Sequence, residues 1–443
     1  MSLQSCVNFQ LLTAVFVLIG CGHTAKEVDE IKTSSTDVSA AAPISVSTDD
    51  WPWWRGFNRN NVSSSANVPT EFGDSHNVLW KANVPGRGHG SATVIGERIF
   101  LCSADEQQQK QMVLCYDRLT GKPLWEKTVH TGNFPGSGNM HAKSTHANCS
   151  PASDGNSVYA TFLNGDQIWL TSLSLDGKVN WTKDLGFFNA KFGYAPSPCL
   201  YESLVIVSAD NRGGSFLASV HRESGEIIWR IARSNQDTYS SATIVPSKSG
   251  AQLVISGDNK VTSYNPATGQ ENWSCAGTAK ATCGTVVWWN NLVIASGGYP
   301  QRQTVAIDSG TGQKVWDDDV KCYEQSMLVA GDHLYAVTDD GIAICRDAAT
   351  GKRTWRHRLA GPMSASPVLV GNLIYATNEK GVTWVFEANP EKYQQVAKNQ
   401  LGTSGFASFS ICGDRIYART TNQANAGILY CIGDETAVMT KQH

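Results

Sequence analysis

Short apolar runs rich in Val, Ile and Leu recur along the chain between breaks carrying Gly, Asn and Asp, and segments with a helical period are few. One unit of this pattern repeats with constant grammar. A short strand led by Ser comes first, then a turn, then a β-branched strand such as QLVISGD (residues 252–258). A third strand runs into a Thr-Gly turn, and a last strand carries Trp. The closing phrase is written LTGKPLW, LDGKVNW, ESGEIIW, ATGQENW, GTGQKVW and ATGKRTW, ending at Trp125, Trp181, Trp229, Trp273, Trp316 and Trp355. Counted from Trp80, these tryptophans are spaced by 45, 56, 48, 44, 43 and 39 residues. That period belongs to propeller blades, each a meander of four short strands.

Aligning the leading strands puts Ser91, Ser150, Ser197, Ser241, Thr285, Ser326, Ser366 and Ser408 in one column, eight hydroxyls for eight repeats. The seventh unit (363–402) keeps its leading strands, but its last strand lacks both the Gly turn and the Trp. The eighth (405–435) has three strands and stops. The segment VLWKANV carries Trp80 but has no strands before it, so it is expected to complete the eighth blade. A ring closed by strands from both ends of the chain leaves no open sheet edge. The predicted fold is therefore all-β: an eight-bladed β-propeller of four-stranded antiparallel blades closed by an N-terminal strand, with seven blades as the alternative count.

In six of the phrases Gly stands four residues ahead of Trp, where the chain reverses and a positive φ is expected. The indole that follows offers a plane to cover the next blade and an N–H for a backbone carbonyl. Trp80, Trp125, Trp181, Trp229, Trp273, Trp316 and Trp355 are read as an inter-blade adhesive. The hydroxyl column has two readings. It lines a ligand-binding channel, or it satisfies backbone groups where strands crowd at the hub, and the second is preferred. Two residues earlier, on the same strand face, stand His89, Asn148, Ala195, Tyr239, Cys283, Glu324, Ser364 and Phe406.

The chain has 443 residues, 41% of them hydrophobic, enough for a large core, and its net charge is −3. No long basic run is present, so nucleic acid is not expected as a partner. At the N-terminus the uncharged run LLTAVFVLIG (11–20) suits a signal h-region and is too short to span a bilayer. It ends in LIGC, which resembles a bacterial lipobox with Cys21 as the lipidated residue, although the preceding MSLQSCVNFQ carries no Lys or Arg. Residues 23–50 are polar and Ser/Thr/Ala-rich, too poor in apolar side chains to repay their ordering. As a coil they would hold the folded part on the order of 30 Å from its anchor. The expected organisation is a signal peptide (1–20), a flexible tether (21–50), the propeller (51–435) and a short tail (436–443).

Twelve cysteines occur without a CxxC pair. Most sit singly in strand patterns as small apolar residues, while Cys102 with Cys115, and Cys412 with Cys431, are candidates for bridges between neighbouring strands. His141, His146 and Cys149 lie close together. They lack the helical spacing of a catalytic zinc motif, which favours a structural role. No nucleophile elbow or catalytic triad is assignable.

The segment AIDSGTGQKVW (306–316) matches an AxDxxTGxxxW pattern, and with WPWWRGFNRNN (51–61) and HAKSTHANCSPASDGNSVYATF (141–162) it resembles the repeat family of PQQ-like, quinoprotein alcohol dehydrogenase-like β-propellers. The resemblance runs from about Trp51 to Glu435. It implies the fold more than an activity. The quinoprotein enzymes of that superfamily hold pyrroloquinoline quinone on calcium beneath a vicinal Cys–Cys disulfide. This chain has no Cys-Cys dipeptide, and one carboxylate among the eight residues preceding the column is a poor set for a cation that wants six to eight oxygens.

The lipobox, tether, blade count and size are similar to those of the BamB-like accessory lipoproteins of the outer-membrane β-barrel assembly machinery. That resemblance implies an exported lipoprotein on the periplasmic side of the envelope, membrane-anchored, monomeric, without catalytic residue, metal or cofactor. Its role would be a scaffold for other envelope proteins. Two alternatives stand beside it: a PQQ-dependent alcohol or sugar dehydrogenase using calcium, and a carbohydrate-binding propeller.

Overall fold

The structure, a computed structural model, describes residues 26–32, 39–65, 67–424 and 426–434. Its strands form eight antiparallel meanders. Blades 1 to 6 cover residues 93–131, 152–187, 199–232, 243–276, 287–318 and 328–358; blade 7 covers 368–400 and blade 8 covers 410–432. The innermost strand of every blade begins two residues after the hydroxyl of the column. Second and third strands are almost continuously buried, for example Arg98–Asp105 and Lys110–Asp117, whereas outer strands such as Pro123–Thr131 are largely exposed. The core therefore lies between the faces of adjacent blades, where apolar residues from two sheets meet.

The count is eight, and closure is by strands from both ends of the chain: Val78–Val84 pairs antiparallel with Gly427–Ile432, Trp80 standing opposite Cys431. One blade departs from four strands. Val62–Ser63 adds to blade 7 on its axial side, parallel to Val368–Val370.

The repeated phrase has a three-dimensional meaning. Each of the seven indoles donates to a carbonyl on the next blade: Trp80 to Arg118, Trp125 to Leu175, Trp181 to Arg222, Trp229 to Pro266, Trp273 to Ser309, Trp316 to Ala348 and Trp355 to Asn389, at 2.8–3.2 Å. The glycine of the receiving turn is where the ring lies. A Cβ on Gly269, at φ +73°, would stand 2.8 Å from Trp229, and five other turn glycines face the preceding indole in the same way. Positive φ and ring contact thus ask for Gly together. The junction of blades 7 and 8 has no indole. Ala397 takes that register position opposite Val385, and the segment before Val78 fills the gap, Phe72 packing on Phe409 while Asn399 holds the backbone of Phe72 and Thr70.

Every blade also carries a β-bulge on its outer strand one residue before this position, at Leu79, Leu124, Asn180, Ile228, Asn272, Val315, Thr354 and Val396. The extra residue turns the Trp onto the neighbouring blade. It leaves Leu124, Val315 and Val396 exposed on the rim.

Two sequence expectations are corrected. Cys102 faces Val113 and Cys115 faces Phe100, so that pair is out of register. Cys412 and Cys431 are separated by the strand Arg415–Thr421. All the described cysteines are free thiols, and Cys115, Cys345 and Cys431 are the small residues opposite a Trp. The described parts of the expected tether do not form a free coil. Lys26 and Ile31 hydrogen-bond to the backbone of blade 3, Arg222 donates to Ala42 O, and Ser45 donates to Asp154 O on blade 2. These backbone pairs order the segment, and Val28, Ile44 and Val46 pack on the core of blades 2 and 3. The signal, lipobox and Cys21 lie outside the described residues, as does the tail 436–443.

Candidate functional site

The axial channel is built from three tiers, each traceable to the inner strands. The lowest is a hook formed by residues 51–63. Left-handed backbone at Arg55, Gly56, Arg59 and Asn61 folds it across the hub on the downstream side of the hydroxyl column. From there Trp51 pairs with Val94, Ser153 donates to Pro52 O, Arg59 donates to Leu200 O, Asn61 to Pro367 O and Ser63 to Ile411 O. Arg55 is fully buried and gives its guanidinium to Thr285 O (3.3 Å) and Met327 O (3.0 Å). Burial without a carboxylate partner lowers its pKa to about 9. Seven of the eight blades are tied to this one hook, and Trp54 forms the floor of the channel, its N–H on the Thr285 hydroxyl at 2.8 Å.

The second tier is the hydroxyl column. Ser91 N–H donates to Ser150 Oγ, Ser150 N–H to Ser197 Oγ, and Ser197 N–H to Ser241 Oγ. After one interruption Thr285 N–H donates to Ser326 Oγ, Ser326 N–H to Ser366 Oγ and Ser366 N–H to Ser408 Oγ, all at 2.8–3.0 Å. Each hydroxyl so satisfies a backbone donor on the preceding blade, and the links form a chain around the axis. It is broken at Thr285, whose hydroxyl is taken by Trp54, and at Ser91, whose Oγ is buried without a partner.

The third tier brings together all eight residues two positions upstream, His89, Asn148, Ala195, Tyr239, Cys283, Glu324, Ser364 and Phe406, around a cavity of about 460 Å³. Ser150, Ser197, Ser241, Ser366 and Ser408 also reach this cavity; Ser91, Thr285 and Ser326 do not line it. Its mouth is framed by His141, Lys143, Lys191, Phe192, Tyr299 and Tyr323. His89 stacks on Phe406 at 4.4 Å. Burial, with Arg419 and Arg87 nearby, lowers the His89 pKa to about 3, so the ring is neutral. Burial also pushes the Cys283 thiol and the Tyr239 phenol well above their ordinary ranges.

The charged element of the site comes from far along the chain. Lys143, on the connection between blades 1 and 2, spans the mouth to blades 6 and 7. Its Nζ lies 3.2 Å from Glu324 and 2.6 Å from Glu379. The Ser364 Oγ lies within hydrogen-bond reach of both carboxylates, its single O–H shared between them. Partial burial works against the ammonium, but the two glutamates outweigh it and raise the Lys143 pKa. Sequence spacing signals Glu324 as a member of the upstream ring; nothing in it points to Lys143 or Glu379.

A quinone–calcium centre does not fit these residues. The carboxylate pair that would hold a divalent cation already holds an ammonium, and among the described residues no group of three or more His, Cys, Asp or Glu converges on one point. His146 instead stacks near Phe134, His141 meets Phe192 edge-on, and the Cys149 thiol lies against Thr161 O.

The sequence profile described as outer membrane protein assembly factor BamB matches residues 109–357 and 301–434. The outer membrane protein assembly factor BamB of Bordetella pertussis is 25% identical over 332 residues, covering 70% of this chain and 75% of that protein. The crystal structure of BamB from Moraxella catarrhalis superposes with a TM-score of 0.58 at 14% identity, covering 81% of this chain and 97% of that one. A europium-containing methanol dehydrogenase gives 0.65 at 12% identity, covering 86% and 91%. The quinohemoprotein alcohol dehydrogenase of Comamonas testosteroni gives 0.60 at 12%, covering 87% and 81%. At such identities the structural likenesses show the fold alone. With the profile running from blade 1 to the end of blade 8, the chain belongs to the family of the outer membrane protein assembly factor BamB.

Proposed function

We propose that this protein is a non-catalytic scaffold of the cell envelope, anchored to a membrane through Cys21 and acting as an accessory to the assembly of outer-membrane proteins. The observation that carries the reading is the family match along residues 109–434, supported by the Bordetella pertussis relative over 70% of the chain. Physically, the ring suits a rigid platform. Its blades are pinned by seven indoles and one hook, so surface loops are held in fixed relation to each other. The axial site argues in the same direction, because Lys143 occupies the space between Glu324 and Glu379 where a divalent cation would have to sit.

The test is affinity capture of the full-length lipoprotein from detergent-solubilised envelope membranes. Enrichment of the β-barrel assembly proteins is expected. Their absence, combined with quinone- and calcium-dependent alcohol oxidation by the purified protein, would replace this reading with the dehydrogenase one. Labelling with a palmitate analogue should depend on Cys21, and unchanged labelling of Cys21→Ser would remove the anchor.

A further inference from the structure

The axial cavity is unusually well equipped for a platform whose work lies on its surface. It is closed below by Trp54 and open above, and its volume of about 460 Å³ lies in the range of small-molecule sites. Its chemistry is divided. On the side of blades 6 and 7, Glu324 and Ser364 meet Lys143, with the Glu324 and Lys143 side chains 27% and 36% exposed. Facing them from blades 3 and 4 are Phe192 and Tyr239, whose rings lie 6.3 Å apart, and Tyr299 stands exposed at the rim.

Between these walls the column supplies hydrogen-bond donors. The hydroxyls of Ser150, Ser197, Ser241, Ser366 and Ser408 each accept a backbone N–H. A hydroxyl is donor and acceptor at once, and among the described residues these five O–H groups donate to nothing, although all five line the cavity.

We infer that the cavity is a binding site for a neutral polyhydroxylated ligand of the size of a mono- or disaccharide. The donor set calls for ligand oxygens, the Glu324 carboxylate calls for ligand O–H groups, and Lys143 calls for an acceptor beside them. Adjacent hydroxyls meet all three, while the aromatic wall covers the C–H face of a sugar ring. An anion finds Lys143 already held by Glu324 and Glu379, which leaves Lys191 in the lining, and citrate among the comparators tests that alternative. A cation would meet like charge beside two of the rings, with Lys191 over Phe192 at 4.6 Å and Lys321 over Tyr323 at 5.5 Å, which leaves Tyr239 and Tyr299 to cover a sugar ring. This site does not rest on the proposed assembly role.

Calorimetric titration of the full chain with glucose, galactose, N-acetylglucosamine, maltose, cellobiose and myo-inositol tests it, with citrate, spermidine and quinone plus calcium as comparators. At least one neutral sugar is expected to bind and to raise the melting temperature as a ligand of the native state must. Glu324→Gln, which keeps the side-chain shape, should weaken that binding by at least about tenfold. Ala195→Trp, which fills the cavity, should abolish it with the circular dichroism unchanged. The inference fails if none of the neutral ligands binds, if a comparator binds instead, or if sugar binding survives both substitutions.

Discussion

Gly269→Ala probes how the repeated phrase holds the ring together. Gly269 sits at φ +73°, and a Cβ there would stand 2.8 Å from Cε3 of Trp229, an indole with no solvent exposure. The left-handed backbone costs a residue with a Cβ about 1–2 kcal/mol, and forcing an extra carbon into a packed contact adds about 1–3 kcal/mol. Gly269→Ala should therefore destabilise by roughly 2–5 kcal/mol. Trp229→Ala removes the ring and its bond to Pro266 O, a loss of about 3–5 kcal/mol. In the double variant the new methyl enters space the indole has left, so only the backbone cost is added. The pair should couple by about 1–3 kcal/mol, the double variant being more stable than the sum of the single losses. Gly371→Ala is the control: its φ is +56° and nothing lies within 4 Å of the added Cβ, so only the backbone cost should appear. Urea unfolding followed by far-ultraviolet circular dichroism reads all four variants. Additivity of the two changes within about 0.5 kcal/mol, or equal losses for Gly269→Ala and Gly371→Ala, would show that the glycine is not the seat of the indole.

The hydroxyl chain predicts opposite outcomes for two serines of one column. Ser197→Ala leaves the Ser150 N–H without its acceptor and should cost about 1–3 kcal/mol, whereas Ser91→Ala removes a hydroxyl that has no partner and should be nearly neutral in the same urea assay. His89 makes the fold acid-sensitive. With its folded pKa lowered to about 3, its contribution is fully present above the unfolded value of about 6.5 and is lost as pH falls through that window, because the unfolded chain takes up the proton first. His89→Phe keeps the stack on Phe406 and should flatten that part of the stability–pH curve; an unchanged slope would show that His89 is not the group responsible. Arg222 and Asp154 form a pair with side chains only 2% and 4% exposed. Arg222→Ala should cost about 3–5 kcal/mol by stranding the carboxylate, and a loss below 1 kcal/mol in thermal unfolding would contradict the reading of that pair.

The strands and their grouping by four were legible in the chain because each depends on relations within about one repeat, and the blade count and closing strand followed from comparing the repeats with one another. Alternation places the inward face of a strand, a Gly four residues before a Trp marks the turn, and the three strands Ser410–Cys412, Arg415–Thr421 and Gly427–Ile432 have their complement in the orphan Val78–Val84. The ring upstream of the hydroxyls could be named for the same reason, since neighbours on one strand face share their destination. Cysteine pairing was not legible, because adjacency of strands does not fix register, which sets Cys102 two residues along from the partner of Cys115, and because Cys412 and Cys431 have a strand between them.

What remained hidden depends on contacts between residues far apart in the chain. Arg55 meets carbonyls at Thr285 and Met327, and Lys143 meets a glutamate at position 379. No periodicity records such partners, since a loop between strands carries no repeat and its course is set by which polar groups the closed ring leaves unsatisfied. The same holds for residues 26–32 and 39–50. Their composition is that of a coil, yet backbone groups along the flank of blades 2 and 3 pair with them. The sequence by itself determined the ring, because a repeated local pattern can bury its faces only against copies of itself. Tertiary structure alone decided what lies at the centre of that ring, because there the hook of residues 51–63 and loops from distant blades converge at once.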